Sequence, residues 1–453
     1  MIRVRSAHVI TSAQAFAKPN KKFVRNLEAL VDDKDAELAV LPMIGNSARE
    51  DHVPENFHPD VAKLGLDYSS RDLNKNIGIE QFNVRPYQVD PITGLRRFAQ
   101  RGKSLVFASP KQRWQYVAHS LQKMPKALIT PGAITEPNYA TGRDVSAERR
   151  RLGDIARRDH EYGAVIVEVV NGQKYHWRNI IAQVNGKFCD MGWEYHQGDK
   201  QRVRPLAMVA GDWHTGYTDP KNRAATMRMI RELQPQRIVL HDFFNGHSVS
   251  HHMQKQLIYQ MIREGADLGH LSLEDELKLC GRELRAISKA AGDGDIYVLT
   301  SNHLEFLDRY LDEARFVKDP QNARIALQLA NAYANGELPV EAGIRMVSEV
   351  PDNIHFLSRW EDLKVNGYQL GSHGDLGPGG GRGSIRSKEN DYGKSITGHV
   401  HKSEKLRHTF TVGTMLPLDT FYIKGSPCAW THSHAFVYPT GVQMVNIING
   451  KYK

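Results

Sequence analysis

Short apolar runs alternate along this chain with stretches in which apolar residues recur every three to four positions. That alternation predicts strands separated by amphipathic helices. SAHVITSAQ reads as a strand, NKKFVRNLEALVDD as a helix and AELAVLP as a second buried strand closed by Pro42. The stretch from Asp51 to Gln88 is polar and irregular and reads as a long loop or lid. AVIVEVV and WRNIIAQVNGKF follow as a strand pair, and the polar, basic run HQGDKQRVR reads as a linker. Beyond it the order becomes strand, loop, helix, strand. PLAMVAG, RIVLHD and DIYVLTSN are the strands, with helices near 221–234 and 250–290 between them. A helical stretch from 304 to 347, strands near 354–370 and a glycine-rich loop come next. The end is β-rich: SITGHVH, FTVGTML, HAFVYP and VQMVNIING. No internal repeat is visible in the letters.

The predicted class is α/β. With 453 residues, and domains averaging about 150 residues, the chain divides into an N-terminal α/β domain over 1–200 and a second domain over 203–453. The composition, 40% apolar and 25% charged, is that of an ordinary globular protein. No run approaches the roughly 18 apolar residues of a membrane span, and the N-terminus lacks a secretory signal. The three cysteines, Cys189, Cys280 and Cys428, are too few and too scattered for a disulfide framework. They fit a reducing cytoplasm.

Charge and histidine content sharpen this. The net charge of +9 favours polyanionic partners. Six cations and no acid lie between Ile92 and Arg113, including Arg96, Arg97 and Arg101. A second cluster comprises Arg143, Arg149, Arg150, Arg151, Arg157 and Arg158. Either alone reads as a solvated helix face, whereas together they would track a phosphate backbone. Of 21 histidines, 14 follow residue 203, which raises the expectation of a metal site there.

In that second half, residues with metal-ligand chemistry stand just after almost every predicted strand, where open α/β sheets place their sites. Asp212 and His214 follow the first, Asp242 the second, and Asn302 with His303 the third. His373 comes after the strand near Tyr368, and His399 and His401 after SIT. Each piece alone is common; five in order at strand ends are not.

On the matching text GDWH, HDFFN, SNHLE, GSHGD and GHVH, residues 203–450 resemble the calcineurin-like metallophosphoesterases. The GTMLPLDTFYIKGSPCAWTHSHAFVYPTG ending is similar to phage-encoded members. The resemblance implies a four-layer metallophosphoesterase β-sandwich flanked by helices, and two divalent metal ions bridged by Asp242. It assigns Asp212, His214 and His401 to one ion and Asn302, His373 and His399 to the other. A set mixing imidazole, carboxylate and amide oxygen suits manganese first, with iron or zinc as alternatives, over magnesium or calcium. His303 is implied to be the catalytic histidine that protonates the leaving oxygen. Three departures stand out. His241 and Ser301 replace the family's glycines, and Leu304 replaces the acid that steadies the catalytic histidine, with Glu305 next in line to substitute.

Asn245 stands at the family's position for a residue near the bound phosphate, and its alternative role is a helix N-cap. His247, with His251 and His252, could reach phosphate or serve as surface or supporting groups. The loop GSHGDLGPGGGRG, seven glycines in thirteen residues, could line a phosphate with Arg382 behind it, or be a plain surface loop. Three functions compete. The preferred one is a nuclease of phage type, acting on DNA rather than RNA in the cytoplasm of a host cell, with no membrane partner. The second is a phosphatase or phosphodiesterase for a small nucleotide. The third is a non-catalytic nucleic-acid-binding protein. Arg96, Arg97, Arg101, Arg149, Arg150 and Arg151 are the expected nucleic-acid contacts of the first.

Overall fold

The computed structural model describes residues 4–43, 54–119, 125–139, 145–254, 272–381, 383–420, 423 and 426–453. Two ten-stranded mixed sheets form its centre. The first runs, edge to edge, through Ile354–Leu357, Asp295–Leu299, Arg237–Leu240, Ala207–Val209, Ser433–Tyr438, Gly441–Asn446, Tyr175–Ala182, Tyr162–Val169, Ser6–Gln14 and Ala36–Met43. The second runs through Lys364–Val365, Tyr368–Gln369, Ser395–Thr397, Thr409–Thr411, Glu404–Leu406, Gln112–Val117, Lys126–Pro131, Ser104–Val106, Ile77–Ile79 and Arg71–Asn74. One apolar core fills the space between the sheets along both halves, from Ile10, Trp114 and Trp177 to Val209, Ile396 and Phe410. Helices cover the outer faces. Lys21–Lys34 packs through Phe23, Leu27 and Leu30 on one half of the first sheet. Pro220–Leu233 and Leu273–Ala291 pack on the other half. Arg96–Arg101 and Ile385–Tyr392 lie on the second sheet. The result is four layers: helix, sheet, sheet, helix.

The sheets do not stop near residue 200. Each takes strands from both sides of that boundary, joined where Val445 pairs with Arg178 and where Glu404 pairs with Gln115. Two sequence expectations change here. The run read as a linker supplies the exposed polar strand Asp199–Arg202, paired antiparallel with Trp193–His196, which has Phe188–Asp190 on its other side. Its exposed alternation lacks the apolar face by which strands are recognised. The stretch 51–88 also holds structure among its described residues, a helix at Pro59–Ala62 and the hairpin Arg71–Asn74/Ile77–Ile79.

The third change is larger: the fold repeats itself. Ala207–Val209 lies between a parallel neighbour, Arg237–Leu240, and an antiparallel one, Ser433–Tyr438, which turns back into Gly441–Asn446. Ser6–Gln14 lies likewise between parallel Ala36–Met43 and antiparallel Tyr162–Val169, which turns back into Tyr175–Ala182. In the second sheet, Ser395–Thr397 runs parallel to both Tyr368–Gln369 and Thr409–Thr411. Ser104–Val106 runs parallel to both Ile77–Ile79 and Lys126–Pro131.

Backbone hydrogen bonds fix the correspondence. Ser12 N donates to Gly132 O at 3.2 Å as Asp212 N donates to Gly413 O at 3.0 Å. Asn20 N reaches Ile134 O at 2.8 Å as Asp219 N reaches Met415 O at 2.7 Å. Asn20 and Asp219 each N-cap a 14-residue helix that ends on a left-handed residue, Asp35 or Gln234. The two halves match in backbone hydrogen bonds and in helix caps, and differ in the letters around them.

Candidate metal centre

The candidate ligands come together where the carboxyl ends of parallel strands from the two sheets meet, the position expected for a site in such sheets. Asp212, His214, Asp242 and His373 are each at most 1% exposed, while Asn302, His399 and His401 are partly buried. Ligand atoms of Asp212, His214, Asp242 and His401 all lie within 4.8 Å of one another. His401 Nε2 is 3.0 Å from Asp212 Oδ2, and His373 Nε2 is 3.3 Å from Asp242 Oδ2. His214 Nε2 stands 3.4 Å from His401 Nε2 and 3.8 Å from Asp242 Oδ2. The His399 ring lies 5.3 Å from that of His373, and its backbone N–H donates to Asp212 Oδ2 at 2.7 Å.

These residues also share a backbone feature. His214, Asp242, His399 and His401 have φ of 49°, 45°, 70° and 56°, the left-handed region that side chains avoid. Such strain persists only where its surroundings hold it, and it collects at functional sites. Gly398 is required here, because a Cβ at that position would collide with Asp212 Oδ1.

The donor set fits a cation. Asp212 Oδ1, Asp242 Oδ1 and Asn302 Oδ1 are buried without a hydrogen-bond partner among the described residues. Buried carboxylate oxygens left this way are expensive unless a positive charge meets them. Burial pushes against ionisation of Asp212 and Asp242, but the imidazoles of His401 and His373 outweigh it, and both carboxyls sit below their ordinary range. Burial likewise disfavours charge on His373, yet Asp242 beside it raises that imidazole to about 9. Burial holds His214 down to about 3 and His241 to about 4.

The chain is similar to Protein A1 of Escherichia phage T5. The two are 25% identical over 478 aligned positions, covering 98% of this chain and 82% of the phage protein. No protein-family model matches the sequence. No solved structure matches it either.

The other predicted residues divide into those at the centre and those elsewhere. His303 is at the centre, with its ring 4.7 Å from that of His214 and its Nδ1 2.7 Å from the Asn245 carbonyl. Asn245 also accepts from His214 Nδ1 through Oδ1 at 3.1 Å. One residue therefore orients two imidazoles, and its amide Nδ2 is buried without a hydrogen-bond partner among the described residues. His247 stacks on Tyr217, ring centroids 4.9 Å apart, in a loop pinned by the buried Glu276, which accepts from the backbone of His247 and Ser248 at 3.0 Å each.

Glu305 does not steady His303. Its carboxylate pairs with Arg359, which also grips Asp375 at 2.7 and 3.0 Å. That guanidinium ties the loop of His303 to the loop of His373, a role with no local sequence signal, since Arg359 lies 54 residues from Glu305.

Arg382 and Arg143 lie outside the described residues, as does the Arg101 side chain. Arg96, Arg97, Arg149 and Arg151 are exposed, and Arg150 is half-buried with its guanidinium on the Val145 carbonyl. Lys111 and Arg113, read as part of the first basic cluster, are buried ion-pair partners of Asp159 and of Asp90 and Glu404. No helix among the described residues is long and apolar enough to cross a membrane.

Proposed function

We propose that the C-terminal half is a dinuclear-metal phosphodiesterase and that its substrate is DNA. The observation that carries this reading is the buried pair Asp212 and Asp242, each with an oxygen that has no hydrogen-bond partner among the described residues, ringed by His214, His373 and His401. Asp212, His214 and His401 would hold one ion, Asn302, His373 and His399 the other, and Asp242 would be shared. Nitrogen and oxygen donors together suit manganese, iron or zinc. Bound there, two such ions supply Lewis-acid activation of a water and neutralisation of charge on the phosphoryl oxygens.

The chain's own residues supply orientation and a proton. A carbonyl only accepts, so the contact with Asn245 O places a hydrogen on His303 Nδ1, and in the doubly protonated imidazolium Nε2 would give its proton to the leaving oxygen and be left as the bare nitrogen of a neutral ring. Asn245 Oδ1 does the same for His214, turning Nε2 of that ring toward Asp242. Arg359 keeps the two ligand loops in register.

The preference for DNA is supported by the net charge of +9 and by the exposed arginines of the N-terminal half. Similarity to a phage protein is consistent with it.

The test is a screen of EDTA-stripped protein with Mn²⁺, Mg²⁺ or Zn²⁺ restored, on plasmid, linear duplex, single strand, RNA and a chromogenic diester. Metal-dependent cleavage of DNA is expected. Hydrolysis of the small diester with no action on DNA would redirect the proposal to small nucleotides, and no hydrolysis of any substrate would end it.

A further inference from the structure

His241 precedes the shared carboxylate and has no role in the ligand scheme above, where the resembling family carries glycine. It is fully buried, and its ring fills the gap between two ligand loops. A Cβ at Gly398 would lie 3.0 Å from His241 Cγ. Its Nδ1 is 3.3 Å from His373 Nδ1. The other nitrogen of His373, Nε2, is 3.3 Å from Asp242 Oδ2. The two nitrogens of His373 thus face opposite ways, one into the carboxylate cluster and one onto His241. Asp212, His241 and His373 offer ligand atoms that all lie within 4.8 Å.

An imidazole that ligates through one nitrogen usually donates its other N–H to an acceptor, which fixes the tautomer and the ring plane. His373 is 1% exposed, so solvent cannot be that acceptor. We propose that His241 is a positioning residue of the metal centre, its Nδ1 accepting the Nδ1–H of His373 and so presenting Nε2 of His373 beside Asp242. The inference rests on the metal-centre reading above. In this arrangement the proton of His241 sits on Nε2, which is buried without a hydrogen-bond partner among the described residues, and the ring supports a ligand without being one. Glycine at this position would leave the Nδ1–H of His373 facing a void.

The test compares wild type with His241→Leu, His241→Gly and His241→Asn. Mn²⁺ is titrated calorimetrically into each stripped protein, and visible spectra are taken after Co²⁺ substitution. Melting of the metal-free proteins identifies any variant that fails to fold. Wild type should bind about two ions. In the Leu and Gly variants the affinity for one ion should fall about 10–100-fold with stoichiometry unchanged. Asn, whose amide oxygen can accept, should recover most of the loss and keep the wild-type cobalt spectrum.

Leu and Gly variants that bind as tightly as wild type would overturn the inference and leave the metal centre standing. Loss of an ion together with an altered cobalt spectrum in the Asn variant would make His241 a ligand, which also overturns it. A wild type that binds no metal would overturn the metal centre itself.

Discussion

The two halves of this molecule share one topology and differ in what they bury at equivalent positions. Where one half has Asp212, the other has Ser12, whose hydroxyl is satisfied by the carbonyl of Ser109 at 3.0 Å and by that of Gly132. The shared backbone pairings, Val9 with Leu38 and Val209 with Val239, place Gln14 opposite His214 and Leu41 opposite Asp242. Pairings of Val106 with Ile129 and of Ile396 with Phe410 place Ala108, Ser109 and Lys111 at the positions of Gly398, His399 and His401.

The N-terminal set is closed. Leu41 is core, Lys111 is ion-paired, and none of these residues has a left-handed backbone. The C-terminal set is open, with oxygens that lack a hydrogen-bond partner among the described residues, strained φ values and a glycine that makes room for a carboxylate. The lesson is that the layered scaffold tolerates either filling, and that a few loop residues after the strands decide whether a candidate site is there.

The largest break in this comparison is Asp242→Asn against Leu41→Ala. The first should bring hydrolysis to background and remove metal from both sites, since it deletes the shared charge. The second should lower stability by about 2–5 kcal/mol with metal stoichiometry unchanged, as read by denaturant melts and elemental analysis. Next is His303→Asn, which should retain metal while turnover falls roughly 10²–10⁴-fold. A substrate with a very good leaving group should suffer least. Loss of metal in that variant would mean that His303 is a ligand.

A smaller effect is expected from Gly398→Ala, which forces a methyl against Asp212 at an overpacking cost of about 1–3 kcal/mol felt as metal affinity. The reverse change at the equivalent position, Ala108→Gly, should lower stability by about 0.4–1 kcal/mol and leave metal affinity alone.

The pH dependence of metal binding follows from His373. Its imidazole stays charged up to about 9 without metal, because Asp242 outweighs the effect of burial. Ligation needs its Nε2 unprotonated, so below about 9 binding of that ion releases a proton. Apparent affinity should then rise about tenfold per pH unit and level off above that value. The mildest effect belongs to the N-terminal arginines. Neutralising Arg96, Arg97, Arg149 and Arg151 should flatten the log–log salt slope of duplex binding by about 0.9 per productive contact, while the small diester is hydrolysed as before. An unchanged slope would remove these arginines from the substrate surface.

Much of the candidate site was legible in the letters because each candidate ligand follows a short apolar run, and apolar runs are what sheets bury. SITGHVH announces both the strand Ser395–Thr397 and the candidate ligands after it. What was illegible depends on distance in the chain. Glu305 looked like the support of His303, but Arg359 outcompetes that contact from an edge-strand loop. His241 looked like a departure until the approach of His373 showed what it faces. The repeat left no pattern in sequence because backbone hydrogen bonds, which carry no side-chain identity, define it.

The most direct test of the account is a calorimetric Mn²⁺ titration of the stripped protein beside its Asp212→Asn/Asp242→Asn variant. About two ions per chain are expected in the first and none in the second, with both proteins folded. Wild-type protein that binds no metal, or a variant that binds as many ions as wild type, would contradict it.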